Sequence, residues 1–187
     1  MKLMAWILLI VIIVFIVFYT YDYFSIPKLG DLKTPNNCIT QAEIETFGLF
    51  KGPDYQIYLP KDWPFVKLSA GNTQGTYTFG INKDDDYEFF SIWSGDYNKD
   101  SDALLLDSLK PLSNYTIEKQ TTVKTANIAE IKDFVIKYKT DQGQLKQEIF
   151  TYTKDNTGYL ILMRNKSGNY SSNKATLDKI ICSFTPN

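Results

Sequence analysis

Tyr159-Leu-Ile-Leu-Met163 and Phe89-Phe-Ser-Ile-Trp93 carry apolar side chains on both faces of an extended chain. An antiparallel strand with one wet face alternates apolar and polar residues, so an almost unbroken apolar run marks a central strand covered on both sides. Around these runs the chain reads as further short strands and two helices. Residues 75–82 and 87–94 flank the polar turn Lys83-Asp-Asp-Asp86 and form a hairpin. Residues 55–59 are a brief strand stopped by Pro60. Residues 115–122, 128–139, 144–153 and 158–164 are parted by turn residues such as Asp141-Gln-Gly143 and Asp155-Asn-Thr-Gly158, which predicts consecutive antiparallel strands. Residues 101–112 read as a helix. Asp100, Ser101 or Asp102 caps it, Leu105, Leu109 and Leu112 line one face, and Pro111 marks its end. A closing helix at about residues 173–184 sets Leu177, Ile180, Ile181 and Phe184 at the i, i+3, i+4, i+7 spacing of a buried stripe. The predicted fold is α+β, an α-β-α sandwich with a central antiparallel sheet.

The amino-terminal region follows other rules. From Leu3 to Tyr21 no residue is charged. At about 1.5 Å per residue, this stretch spans roughly 28 Å, close to the hydrocarbon thickness of a bilayer. A cleaved secretory signal has a shorter apolar region and a small-x-small cleavage site. Here bulky aromatics follow instead, so the segment reads as an uncleaved transmembrane helix. Leu3 lies at its start, Trp6 near one membrane boundary, and Tyr19 and Tyr21 in an aromatic collar at the other. Residues 1–24 form the anchor in this reading, 25–37 a tether rich in Pro, Gly and Asn, and 38–187 one globular domain. Lys2 against Lys28 and Lys33 does not decide orientation. Two cysteines in no CxxC or zinc-type spacing fit an oxidising compartment, so the domain is expected outside the cytoplasm, periplasmic or extracellular. No cysteine follows the apolar run closely, which argues against a lipid-modified amino terminus.

The 187 residues hold 20 Lys+Arg, 21 Asp+Glu and no histidine. Ser-His-Asp and Cys-His catalysis, His-ligated zinc and an imidazole proton switch therefore lose their central residue. A net charge of -1 gives no basic footprint for nucleic acid.

Tyr55-Gln-Ile-Tyr-Leu-Pro-Lys-Asp-Trp63, a strand running into Pro60-x-x-Trp63, resembles the opening motif of PsbP-like domains. The family is named for the extrinsic photosystem II protein. Leu177-Asp-Lys-Ile-Ile-Cys-Ser-Phe184 resembles that family's closing helix, and the order hairpin, helix, antiparallel strands, final helix agrees. The resemblance covers about residues 43–184. It implies the same α-β-α sandwich and relatives that are accessory or assembly factors, or membrane-attached envelope proteins, rather than enzymes. The uncleaved anchor departs from the photosynthetic members, and no photosystem-contacting residue is matched. Pro60 and Trp63 are expected to be structural, with Trp63 a plug where the first strand leaves the sheet.

Several residues bear on binding. Asp96, Asn98, Asp100, Asp102 and Asp107 have the spacing of a calcium loop, although its sixth position is Ser101 instead of Gly and its twelfth Asp instead of Glu. The plainer reading is a polar strand-to-helix loop whose acids cap the helix. Asn82, Asp84, Asp86 and Glu88 read as a solvated hairpin turn. At 100° per residue Cys182 lies about 150° from the centre of the closing helix's apolar stripe, so it faces outward. A bridge to Cys38 would contribute about 4–5 kcal/mol in the chain-entropy model, against two free thiols or pairing with another chain. The 13 Tyr, 12 Phe and three Trp are expected to serve packing before any stacking platform for ligands. These readings lead to a non-catalytic interaction or assembly module at a membrane, docking on a larger protein complex. It would need no cofactor and touch no nucleic acid. The alternative is a calcium or small-ligand receptor using the 96–107 loop.

Overall fold

Tight turns fix the middle of the fold. Asp155 and Asn156 have φ of 49° and 62°, the pair of positive values that a type I′ hairpin turn requires. They join β9 (Gly143–Lys154) to β10 (Thr157–Lys166), while Asp141 and Gln142 join β8 (Ile131–Thr140) to β9. In this computed structural model, residues 29–31, 37–66, 76–82, 85 and 87–187 are described. In chain order the other strands are β1 (Gly30–Asp31), β2 (Phe47–Lys51), β3 (Tyr55–Pro60), β4 (Phe65–Val66), β5 (Thr76–Gly80), β6 (Phe89–Asp96), β7 (Tyr115–Val123) and β11 (Thr185–Pro186). The two α-helices are α1 (Ser101–Leu109) and α2 (Tyr170–Ser183).

The large sheet is antiparallel, in the order β4-β5-β6-β10-β9-β8-β7. Its middle strand is β10 and one neighbour is β6, with Leu160 opposite Trp93 and Ile161 opposite Ile92. The two doubly apolar runs of the sequence thus lie side by side at the centre. On one face, Phe90, Ile92, Phe150, Tyr159, Ile161 and Met163 pack against Leu177, Ile180, Ile181 and Phe184 of α2. On the other, Phe134, Ile136, Tyr138, Leu145 and Ile149 pack beneath Leu105 and Leu109 of α1.

Helices do lie on both sides, but α2 shares its layer with a second sheet, ordered β1-β2-β3-β11. Phe50 and Ile57 of that sheet belong to the α2-side core. The second sheet corrects the simple α-β-α sandwich. Phe47-Gly-Leu-Phe-Lys51 is short, contains Gly48 and runs into Gly52-Pro53, so local signals mark a loop where tertiary pairing makes a strand. Within the expected tether, Gly30 and Asp31 pair with Leu49 and Gly48.

Boundaries also moved. α1 stops at Leu109, before Pro111, and α2 begins at Tyr170 instead of residue 173. The early start of α2 matches the seat of Tyr170, whose hydroxyl donates to the buried Glu148. Cys38 and Cys182 form a disulfide with their Cα atoms 5.6 Å apart. Beside it, Glu43 takes hydrogen bonds from Thr40 and pairs with Lys179 of α2. Glu88, read as part of a solvated turn, is instead buried. It accepts from Asn169 Nδ2 at 2.9 Å and Lys166 N at 3.1 Å, clamping the hairpin to the start of α2. The anchor residues Leu3, Trp6, Tyr19 and Tyr21 lie outside the described residues. Among the described residues no helix is long and apolar enough to cross a membrane.

Candidate functional site

A nine-residue helix cannot roof a seven-stranded sheet. α1 packs on β9 and the adjoining part of β10, and among the described residues no helix covers the same face of β5 and β6. The result is a groove of about 450 Å³. Its floor is Thr76, Ser91, Trp93, Leu160 and Leu162, and its wall is Tyr97 with Leu104, Asp107 and Ser108 of α1. The apolar floor follows from the doubly apolar runs: their second face has no helix over it here.

The position of Trp93 depends on two glycines. Gly95 and Gly158 sit opposite each other on β6 and β10. A Cβ at Gly95 would come within 2.7 Å of Trp93 Cζ2, and one at Gly158 within 3.1 Å of Trp93 Cζ3. The indole therefore rests on bare backbone, and it is only half-buried. Any larger residue at either position would lift it.

The wall is fixed by polar bonds. Tyr97 donates to Asp107 Oδ2 at 2.8 Å, and Lys110 pairs with Oδ1 at 2.6 Å. The Lys110 bond, with that of Tyr97, pulls the Asp107 carboxyl down to about 2. Burial and the Asp107 carboxylate push the Tyr97 hydroxyl up to about 12. At the head of α1, Asp100 caps the helix by accepting from Ala103 N at 2.8 Å. Thr151 donates to Ser101 O at 2.9 Å, which pins that end to β9. Asp96, exposed at the mouth, has no side-chain partner among the described residues. Among the described residues the lining thus presents two carboxylates, Asp107, which Lys110 and Lys99 pair with, and Asp96, which no cation answers.

Of the five residues with calcium-loop spacing, two reach this groove. Asp96 and Asp107 line it, Asn98 is exposed, Asp100 caps the helix, and Asp102 faces Lys132 at 3.8 Å. Helix α1 begins at Ser101, the sixth position, where a calcium loop needs a sharp turn. Among the described residues no group of three or more His, Cys, Asp or Glu could hold a metal ion. Pro60 ends β3, and Trp63 packs on Phe90 at 5.8 Å between ring centres, so the Pro60-x-x-Trp63 segment is built into the core edge. The sequence reading missed Trp93 as a site residue. Its signal was Gly95 two places on and Gly158 across the sheet, a relation visible only once the register is known.

No family model matches the sequence, and no curated protein matches it. The fold is similar to the solution structure of cyanobacterial PsbP (CyanoP) from Synechocystis. The TM-score is 0.59 at 9% identity, over 84% of this chain and 100% of that one. It is also similar to a crystal structure from Bacteroides thetaiotaomicron, with a TM-score of 0.50 at 14% identity, over 71% of this chain and 45% of that one. At these identities the likeness is one of architecture: the chain has a PsbP-like fold.

Proposed function

We propose that this domain is a non-catalytic docking module. Its groove beside α1 takes an apolar segment of a partner protein that carries a basic residue next to its apolar side chains. The observation that supports this most is the uncovered apolar floor around Trp93, which would otherwise stand in water. The acidic rim supports the basic residue, because Asp96 is a carboxylate at the mouth that no cation answers among the described residues. A binding role also fits the placement of the strongly perturbed acid Glu148, which is sealed beneath α2 away from any substrate. In this reading residues 1–24 anchor the module in the cell membrane, and the domain works on the extracytoplasmic side within a membrane-associated complex. A small apolar ligand is the second reading, supported by a groove volume within the range of ligand pockets.

A photoreactive residue at Ser108 of the full-length chain, activated in native membranes, tests the reading. The expected adduct is a partner peptide with adjacent apolar and basic residues, and Asp96→Lys should weaken its capture. Equal labelling from Lys51, on the second sheet, or capture indifferent to Asp96→Lys would overturn the docking role. A small molecule recovered in place of a peptide would favour the second reading.

A further inference from the structure

On the opposite face of the sheet, two carboxylates are enclosed together. Asp133 of β8 is 1% exposed and Glu148 of β9 is 0% exposed. They stand on the same face as diagonal neighbours, two residues out of direct opposition along the strands, since Asp133 pairs with Phe150 and Val135 with Glu148. At this separation the Asp133 charge adds to burial and acts directly on the Glu148 carboxyl, raising it. Each has one oxygen in use. Lys119 Nζ lies 2.5 Å from Asp133 Oδ2, and Tyr170 donates to Glu148 Oε2 at 2.5 Å. Of the other two oxygens, Asp133 Oδ1 is buried without a hydrogen-bond partner among the described residues, and Glu148 Oε1, also without a hydrogen bond, has only the ion-pair contact of Lys174 at 3.4 Å. Leaving both unsatisfied would be costly, and two ionised carboxylates in one dry site repel.

Every packed element contributes to the surroundings. From α2 come Tyr170 and Lys174, the latter 3.4 Å from Glu148 Oε1 but bonded to Asp178. From β7 comes Lys119. From β9 itself comes Lys146, which lies over the Tyr170 ring at 4.3 Å and pairs with Glu118 at 2.8 Å. From β10 comes Asn165, which accepts from Asn173 of α2 at 2.6 Å.

We propose that Asp133 and Glu148 hold one proton between them, and that this proton latches the first turns of α2 onto the sheet. The proton resides on Glu148 Oε1 and is donated to Asp133 Oδ1, so one hydrogen serves both oxygens that lack a hydrogen bond. Lys119 already pairs with Asp133, which leaves Glu148 as the neutral member. The site is suited to neutral pH. Burial chiefly raises the Glu148 carboxyl to about 7, the nearby Asp133 charge adds to the rise, and the Tyr170 bond and Lys174 charge oppose it. Because the folded value is raised, the latch's contribution is complete below the ordinary carboxylate range and is lost as pH climbs towards about 7. The chain has no histidine to respond there. The helix turns held by the latch also line a polar cleft through Asn173 and Thr176, opposite Pro60 and Trp63, so release of the proton would loosen that wall.

The test compares the full-length chain with Glu148→Gln, whose amide donates permanently where the proton would. The ratio of wild-type to E148Q unfolding constants should rise on the order of 100-fold from pH 5 to pH 8. A ratio that stays flat over that range overturns the proposal. An infrared pH titration of the wild-type chain gives a readout that needs no variant. A protonated-carboxyl band that fades near neutral pH, with hydrogen exchange of the α2 amides rising alongside, supports the latch. Carboxyl bands that are fully titrated by pH 5 refute it.

Discussion

Substituting Gly158→Ala tests the seat of Trp93 directly. Gly158 has no positive φ, so its backbone accepts an L-residue, and the penalty comes from contact alone. The new methyl would lie 2.8 Å from Tyr97 Cβ, 3.2 Å from Tyr97 Cγ and 3.1 Å from Trp93 Cζ3. Tyr97 Cβ cannot swing away by a rotamer change, and the residue is held at both ends. Its amide donates to Asn156 O at 2.7 Å and its hydroxyl to Asp107 at 2.8 Å. The clash must therefore be relieved by moving the β6 end of the sheet and tilting the indole. Overpacking of this kind costs about 1–3 kcal/mol, offset by about 0.4–1 kcal/mol from the stiffer unfolded chain. The net expectation is a loss of about 1–2 kcal/mol. Denaturant unfolding of the full-length protein measures it, with Gly168→Ala as control, since nothing lies within 4 Å of a Cβ there. If G158A is as stable as G168A, the indole does not rest on that backbone and the described groove floor is wrong.

Replacing Cys38 and Cys182 together by alanine should lower stability by about 4–5 kcal/mol in the chain-entropy model, read as a shift in denaturant midpoint; a loss below about 1 kcal/mol would contradict it. Ile149→Ala empties a fully buried site beneath α1 and should cost about 2–5 kcal/mol by the same assay, whereas a change under 1 kcal/mol would mean that α1 does not seal that core. Lys179→Ala should return the Glu43 carboxyl, held down to about 2 chiefly by its Lys179 bond, towards the ordinary carboxylate range, as followed by NMR titration. The sign is that of a depressed acid: what Glu43 contributes is present above its unfolded value and lost as pH falls towards about 2, so an unchanged titration in K179A would remove Lys179 as the cause.

The elements legible in the sequence were those whose signal is local. The apolar runs at Phe89–Trp93 and Tyr159–Met163, the Leu177, Ile180, Ile181, Phe184 stripe and the Asp155-Asn156 turn each state their structure within a few residues. The outward face of Cys182 was likewise a matter of helical angle, but the bridge to Cys38 stood beside free thiols or pairing with another chain until the fold brought the two cysteines together. What escaped depends on distant partners. β2 is a strand because β3 pairs with it, despite Gly48. The buried pair was hidden for the same reason: Asp133 and Glu148 are single acids in amphipathic strands, and only the β8–β9 register brings them together under α2. In the 96–107 spacing Asp100 answers to a helix start and Asp107 to Lys110 and Tyr97, uses that the spacing alone does not reveal.

The two faces of the large sheet are secured to very different degrees, and this asymmetry suggests a division of labour. On the α2 side the helix is bonded through Cys182 to Cys38, paired through Lys179 to Glu43, anchored by Tyr170 on Glu148, and followed at once by β11. On the α1 side the helix is short, and its polar ties to the rest of the domain run through Ser101 and the exposed Asp102 at its head and Asp107 near its end. Local opening is cheapest where such ties are fewest. α1 is therefore the element that can shift to admit a partner into the groove while the disulfide-bound face keeps the domain folded. Hydrogen exchange separates this from a uniformly rigid domain. Amides of Leu104 to Ser108 should exchange faster than those of Leu177 to Ile181 at pH 5, where the Glu148 proton is in place, and equal protection of the two helices would put the docking face on some other element.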